Sequence, residues 1–176
     1  MRRLLLLFCM TIGLLSLSGQ VTAENLDSLS TERRNKKLIK LAKEVVLRHG
    51  PDYYRDYKPP VIKSQRVSDK TVDMTVNMIK KYKGRSYYTV EYPYNLKEEV
   101  FRSFYSAKVY VWGDTGKVFF MMFGGGFCIE NYDTLTEKEK RQIKTVQYHK
   151  KRPRKRVTDT IRDPNGEIIR IEHRYE

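Results

Sequence analysis

The chain has 176 residues, with 35 Lys or Arg against 21 Asp or Glu, for a formal charge of +14 with its three histidines neutral. That length suits one modest core, since domains cluster at about 100–150 residues. An aromatic share of 12%, with 13 Tyr and 7 Phe, excludes wholesale disorder, and two cysteines exclude a disulfide scaffold or a multi-cysteine zinc site.

The first element is a leader. Arg2 and Arg3 precede the apolar stretch from Leu4 to Leu15, and Val21 and Ala23 sit just before Glu24. That order of charged, apolar and small residues is the pattern of a secretory signal peptide. A spanning helix needs roughly 20 apolar residues, whereas this run is shorter and broken by Thr11, Gly13 and Ser16. Residues 1–23 are therefore expected to be cleaved, leaving an exported protein, periplasmic or secreted, with no transmembrane segment. Cleavage takes away two arginines and no acids, so 153 residues would carry +12, with Cys128 as the only thiol.

Residues 24–30 are polar and read as a loose lead-in. From Thr31 to Arg48 the spacing predicts a helix, with Leu38, Leu41, Ala42, Val45 and Val46 on one side and Arg33, Arg34, Lys36, Lys37, Lys40 and Lys43 on the other. Gly50-Pro51 predicts its end through a left-handed glycine cap. The period then changes to two. Val61 to Val67 and Val72 to Ile79 read as strands, Lys83-Gly84 as a turn, and Arg85 to Tyr94 as a strand with Tyr88, Val90, Tyr92 and Tyr94 on one face. Residues 95–106 read as an irregular insert with a short helical turn at 97–104.

Ala107 to Trp112, the turn Gly113-Asp114-Thr115-Gly116 and the arm Lys117 to Phe123 predict a second hairpin. Its return arm is apolar on both faces, as an inner strand would be. Thr136 and Glu139 form a capping-box signature opening a helix to about Tyr148, with a thin apolar stripe of Ile143 and Val146. Lys150 to Arg156 carries six cations and reads as a linker, and 157–176, with Asp163-Pro164-Asn165-Gly166 at its centre, as a hairpin or mobile tail. The expected organisation is an α+β domain over 31–133, a helix over 134–149, a basic linker over 150–156 and a C-terminal extension. In the domain, an N-terminal helix packs on an antiparallel sheet of about four strands.

Catalytic chemistry finds little support in these residues. Cys128 would need a histidine base and an electropositive setting, and His49, His149 and His173 sit in no recognisable catalytic pattern. Cys128 reads instead as a small buried hydrophobe at a strand end. No metal-ligand spacing occurs, and no Lys-Ser or Lys-Thr follows Gly124-Gly125-Gly126. That glycine run reads as a strand end that excludes side chains. No catalytic, metal or cofactor-binding residue is assigned, and a Cys128-dependent enzyme is the remotest reading.

Basic residues interleaved with aromatic ones mark the candidate ligand-binding surfaces. These are Tyr53, Tyr54 and Arg55; Lys80, Lys81, Tyr82, Lys83 and Arg85; and Lys150, Lys151, Arg152, Arg154, Lys155 and Arg156. Cations neutralise phosphates and rings stack on bases, but the leader argues against a nucleic-acid role. An acidic glycan, lipopolysaccharide, a lipid head group or an acidic protein surface meets the same electrostatics. The 150–156 run also fits a nuclear-type signal, which the leader makes incoherent, or a dibasic processing site. A solvated polyanion-binding linker is the preferred reading.

The helix ending at Gly50-Pro51, the strands around Lys83-Gly84 and the hairpin Ala107 to Val118 together resemble a PepSY-type domain over about residues 31–127. The outline is also similar to cystatin-like α+β folds, and the chain resembles small exported bacterial proteins. Trp112-Gly113, the 95–106 insert and residues 128–176 depart from the PepSY pattern. The resemblance implies an extracytoplasmic, non-enzymatic module that binds a peptide or protein, or modulates a peptidase. A polyanion binder is the alternative.

Overall fold

The computed structural model describes residues 24–71, 73–148, 156–162 and 165–175. The leader and most of the basic linker lie outside the described residues.

Helix α1 spans Thr31–His49 and buries Leu38, Ala42, Val45, Val46 and His49 along one stripe. Each fully buried aliphatic side chain there contributes about 2 kcal/mol. The helix ends at Gly50, whose φ of −158° is extended and not the left-handed cap that the sequence suggests. The glycine is needed for another reason: a Cβ there would overlap the Phe123 ring. The lead-in is docked, not loose. Leu26 is fully buried, and its amide donates to the Gly113 carbonyl at 2.7 Å.

Five strands, β1 (Val61–Arg66), β2 (Ser86–Tyr92), β3 (Ala107–Trp112), β4 (Val118–Phe123) and β5 (Cys128–Ile129), form one antiparallel sheet in chain order. The period of two divides β2 and β3 between two apolar layers. Tyr88, Val90, Tyr92, Ala107, Val109 and Val111 face α1 in the larger layer. Tyr87, Tyr110 and Trp112 face the opposite way, with Phe119, Phe120, Met74 and Met78. A register shift after Tyr110 pairs Val111 with Val118 and leaves Phe119 as the extra residue of a bulge. Phe119 and Phe120 therefore join the same layer, and Phe119 stacks on Trp112 with centroids 3.6 Å apart.

That second layer is closed by helix α2 (Val76–Tyr82), which replaces the strand expected from Val72 to Ile79. Met74, Met78 and Tyr82 recur at steps of four, a spacing that also reads as alternation in a short window. The Thr75 side chain accepts from the Met78 amide and settles the choice in favour of helix. Gly84, at φ +85°, turns the chain out of α2 and not out of a strand. Residues 96–98 form only a turn, in place of the helical segment expected at 97–104.

The Thr136–Glu139 capping box is present, but its helix, α3, covers only Glu137–Gln142. Beyond it Ile143, Val146 and Tyr148 pack on the larger layer from non-helical chain, and the Val146 amide donates to the His49 carbonyl at 2.7 Å. Strands β6 (Arg156–Arg162) and β7 (Ile168–Tyr175) form the expected hairpin as a separate two-stranded antiparallel sheet. Among the described residues, no helix is long and apolar enough to cross a membrane. The fold is α+β.

Candidate functional site: an open sheet edge

Among the described residues β1 is an outer strand whose only sheet partner is β2. Which of its amides are occupied follows from the ladder. Ser86 accepts from Gly113 and Tyr92 from Ser106, so both turn their carbonyls toward β3. By alternation Ser86, Tyr88, Val90 and Tyr92 bond to β3, while Tyr87, Thr89 and Glu91 bond to β1. Their register partners Gln65, Lys63 and Val61 complete those bonds. Ile62, Ser64 and Arg66 therefore direct their backbone N–H and C=O groups away from the sheet. Among the described residues no backbone hydrogen bond outside the β1–β2 ladder involves 61–66. Such an edge is a template for a further strand.

Ser64, Gln65, Arg66, Asp27 and Ser86 line a shallow groove of about 480 Å³ beside the edge. Asp27 accepts from the Tyr88 hydroxyl at 2.7 Å and from the Ser86 hydroxyl. Burial works against its charge, but these hydrogen bonds and the nearby Arg34 and Arg66 hold its carboxyl below the ordinary value. Arg66 is exposed and donates to the Gly84 carbonyl at 3.2 Å. The groove thus offers a fixed carboxylate, hydroxyls and a guanidinium next to unpaired backbone. Nothing in the polar lead-in signalled that Asp27 would dock here.

The aromatic–basic residues divide into three groups. Tyr53 is 1% exposed and packs on Phe101, Phe123 and Tyr148 at 5.6, 5.1 and 5.3 Å. Tyr54 is half-buried against Tyr92 at 5.4 Å, under the Lys43 ammonium. Arg55 grips the buried Glu99 through two hydrogen bonds of 2.5 and 2.7 Å. These three side chains hold the fold together and are not free to receive a ligand.

In the second group Lys81, Tyr82 and Arg85 come together. Lys80 and Lys81 are exposed at the end of α2, and Tyr82 lies 4.9 Å from the Trp112 ring. Arg85 sits 3.9 Å from the same ring and is bidentate to Asp114 at 3.0 and 2.9 Å. Lys83 pairs with Asp69 at 2.6 Å. Two of the four cations thus have acidic partners, and Lys81 and Arg85 already lie over Tyr82. In the third group, Lys150, Lys151, Arg152, Arg154 and Lys155 lie outside the described residues, and Arg156 is known only as the first residue of β6.

Cys128 begins the short strand β5 and is exposed, contrary to its reading as a buried hydrophobe. Partial shielding and then the Glu130 carboxylate push its thiol up, away from the thiolate a nucleophile needs. His49 is 1% exposed and shares a 3.0 Å hydrogen bond with the Tyr132 hydroxyl. Burial, then the charges of Arg48 and Lys140, lower its pKa to about 4. His149 lies outside the described residues, and His173 is placed only as backbone in β7. Gly124 is a close-approach site as expected: a Cβ would meet the Tyr105 carbonyl at 2.5 Å.

The class defined here is an α+β domain with helices on both faces of an antiparallel sheet and one long open edge. Comparison with protein-family models, characterised proteins and solved structures finds no match.

Proposed function

We propose that this is an exported, non-enzymatic binding protein that captures an extended segment of a partner protein or peptide as an added strand along β1. The observation that carries this reading is the outward direction of the Ile62, Ser64 and Arg66 backbone groups on an outer strand. In strand addition, main-chain hydrogen bonds supply affinity and pockets for alternate side chains supply selectivity. The groove by Asp27, Ser64 and Arg66 is placed to take such side chains. The likeness to PepSY-type domains points to the same class of module, one that acts outside the cytoplasm by holding or modulating another protein. Export rests on the leader.

The polyanion reading draws on exposed Lys80 and Lys81 and on the 150–156 run. It is the weaker reading, because Lys83 and Arg85 are engaged with Asp69 and Asp114.

Ser64→Pro tests the edge. Proline removes an outward N–H without breaking a bond to β2, and outer strands tolerate it there. Peptides selected from a displayed random library against the wild-type protein are expected to lose binding at least tenfold to S64P, with its thermal unfolding intact. Undiminished binding to S64P, or no enrichment over a charge-matched control protein, contradicts the proposal.

A further inference from the structure

Exposed apolar side chains are distributed unevenly. The register places the start of β1, the end of β2, the start of β3 and the end of β4 at one end of the sheet, since Val61 pairs with Glu91, Tyr92 with Ala107 and Ala107 with Phe123. Three connections emerge there: the approach to β1, the 93–106 loop and the 124–127 loop. They and the first residue of β1 carry Tyr57, Val61, Leu96, Val100, Phe104 and Phe127, six of the ten exposed large hydrophobic residues among those described. Phe104 is 95% exposed. The opposite end is polar, closed by the Arg85–Asp114 and Lys83–Asp69 pairs and by Asp27.

These tips are held in place. Tyr94 donates to the Ser103 carbonyl at 3.1 Å, and the Ser106 amide to the Tyr92 carbonyl at 2.9 Å, on either side of Phe104. The Arg102 amide donates to Gly124 and the Gly124 amide to Ser106, tying the two loops together at 2.8 and 2.7 Å. Arg55 pins the longer loop through Glu99. Phe101 and Tyr94 turn inward on that loop, with centroids 4.7 Å apart, so the outward position of Phe104 is fixed by its neighbours. Lys58, Lys97 and Arg102 are exposed on the same connections, together with Asp56 and Glu98, which leaves cations in excess there. Tyr148, whose hydroxyl donates to the Val100 carbonyl at 3.0 Å, lies against that loop.

We propose that this end of the molecule seats on an anionic phospholipid surface, with Phe104, Phe127 and Leu96 entering the interface and Lys58, Lys97 and Arg102 at the head groups. Separate protruding tips with cations beside them suit a fluid interface, which closes around each tip. A protein partner would need complementary pockets. Apolar insertion and electrostatic attraction to anionic lipid reinforce one another, and the net charge of +12 from Glu24 onward has the required sign. This inference concerns the end of the sheet and is independent of peptide capture along β1.

The test uses the chain from Glu24 onward, which contains every described element and omits the apolar leader. Co-sedimentation is measured with vesicles of phosphatidylcholine and phosphatidylglycerol in a 3:1 ratio, and with phosphatidylcholine alone. Partitioning is expected on the anionic vesicles, at least tenfold above the neutral ones, falling about tenfold in the double variant Phe104→Ser/Phe127→Ser. Both side chains are exposed, and a thermal melt checks that the variant folds. An environment-sensitive fluorophore on Cys128, next to Phe127, should shift to the blue on anionic vesicles. No partitioning, equal partitioning on both lipids, no loss in the double variant, or an unshifted fluorophore overturns the proposal. So does concentration-dependent self-association abolished by the double variant without vesicle binding, which assigns the patch to a second copy.

Discussion

At the scale of single residues, several side chains serve a purpose other than the one their type suggests. Gly50 follows a helix, which suggests a left-handed cap, yet its backbone is extended and its value lies in admitting Phe123. Gly50→Ala is therefore expected to destabilise the fold by about 2 kcal/mol through overpacking against that ring, read by urea denaturation. A capping role alone would cost less, because alanine is tolerated at a φ of −158°. Tyr53 and Arg55 sit in a run of rings and cations that resembles a binding surface, but the first is core and the second neutralises a buried glutamate. Sequence shows that such residues are adjacent along the chain; it does not show which neighbours from distant elements occupy their faces. The open amides of Ile62, Ser64 and Arg66 were invisible for the same reason, since an edge is a property of strand order.

Among elements, those with a pattern longer than two turns or a marked turn were legible. α1, the β3–β4 hairpin with its Gly113–Gly116 turn, and the β6–β7 hairpin follow directly from periodicity and turn chemistry. α2 was not, because seven residues with apolar positions at even spacing satisfy both helix and strand, and Thr75 capping decided it. α3 stops at Gln142, and Ile143, Val146 and Tyr148 reach the core from non-helical chain. The docking of that region onto α1 brings Tyr132 to His49 and has a consequence for pH. With its pKa lowered from 6.5 to about 4, chiefly by burial, His49 stays neutral in the folded protein where the unfolded chain protonates. Its contribution is fully present above pH 6.5 and is lost as pH falls toward 4, by about 3 kcal/mol. Urea midpoints measured from pH 7 to 4 should show that decline, and His49→Phe should remove this part of it. An unchanged pH slope in the variant contradicts the assignment.

At the scale of the whole molecule, the five-stranded sheet is covered on both faces and open along β1. α1 covers one apolar layer and α2 the other, which leaves the outer strand β1 with backbone hydrogen-bonding capacity unused. The α+β class was legible because a helix followed by alternating aromatic and aliphatic segments has few other ways to bury its apolar surface. The charge of +14 was equally plain, but part of the body's share is already committed to Asp69, Asp73, Glu91, Glu99 and Asp114. Net charge alone therefore says little about where a ligand sits.

Amide hydrogen exchange, followed residue by residue with and without a library-selected peptide, tests strand capture most directly. The account predicts rapid exchange at Ile62, Ser64 and Arg66 in the free protein and marked slowing in the complex, while Lys63 and Gln65, already bonded to β2, change little. Peptide-induced protection elsewhere, with Ile62, Ser64 and Arg66 still exchanging fast, would contradict it.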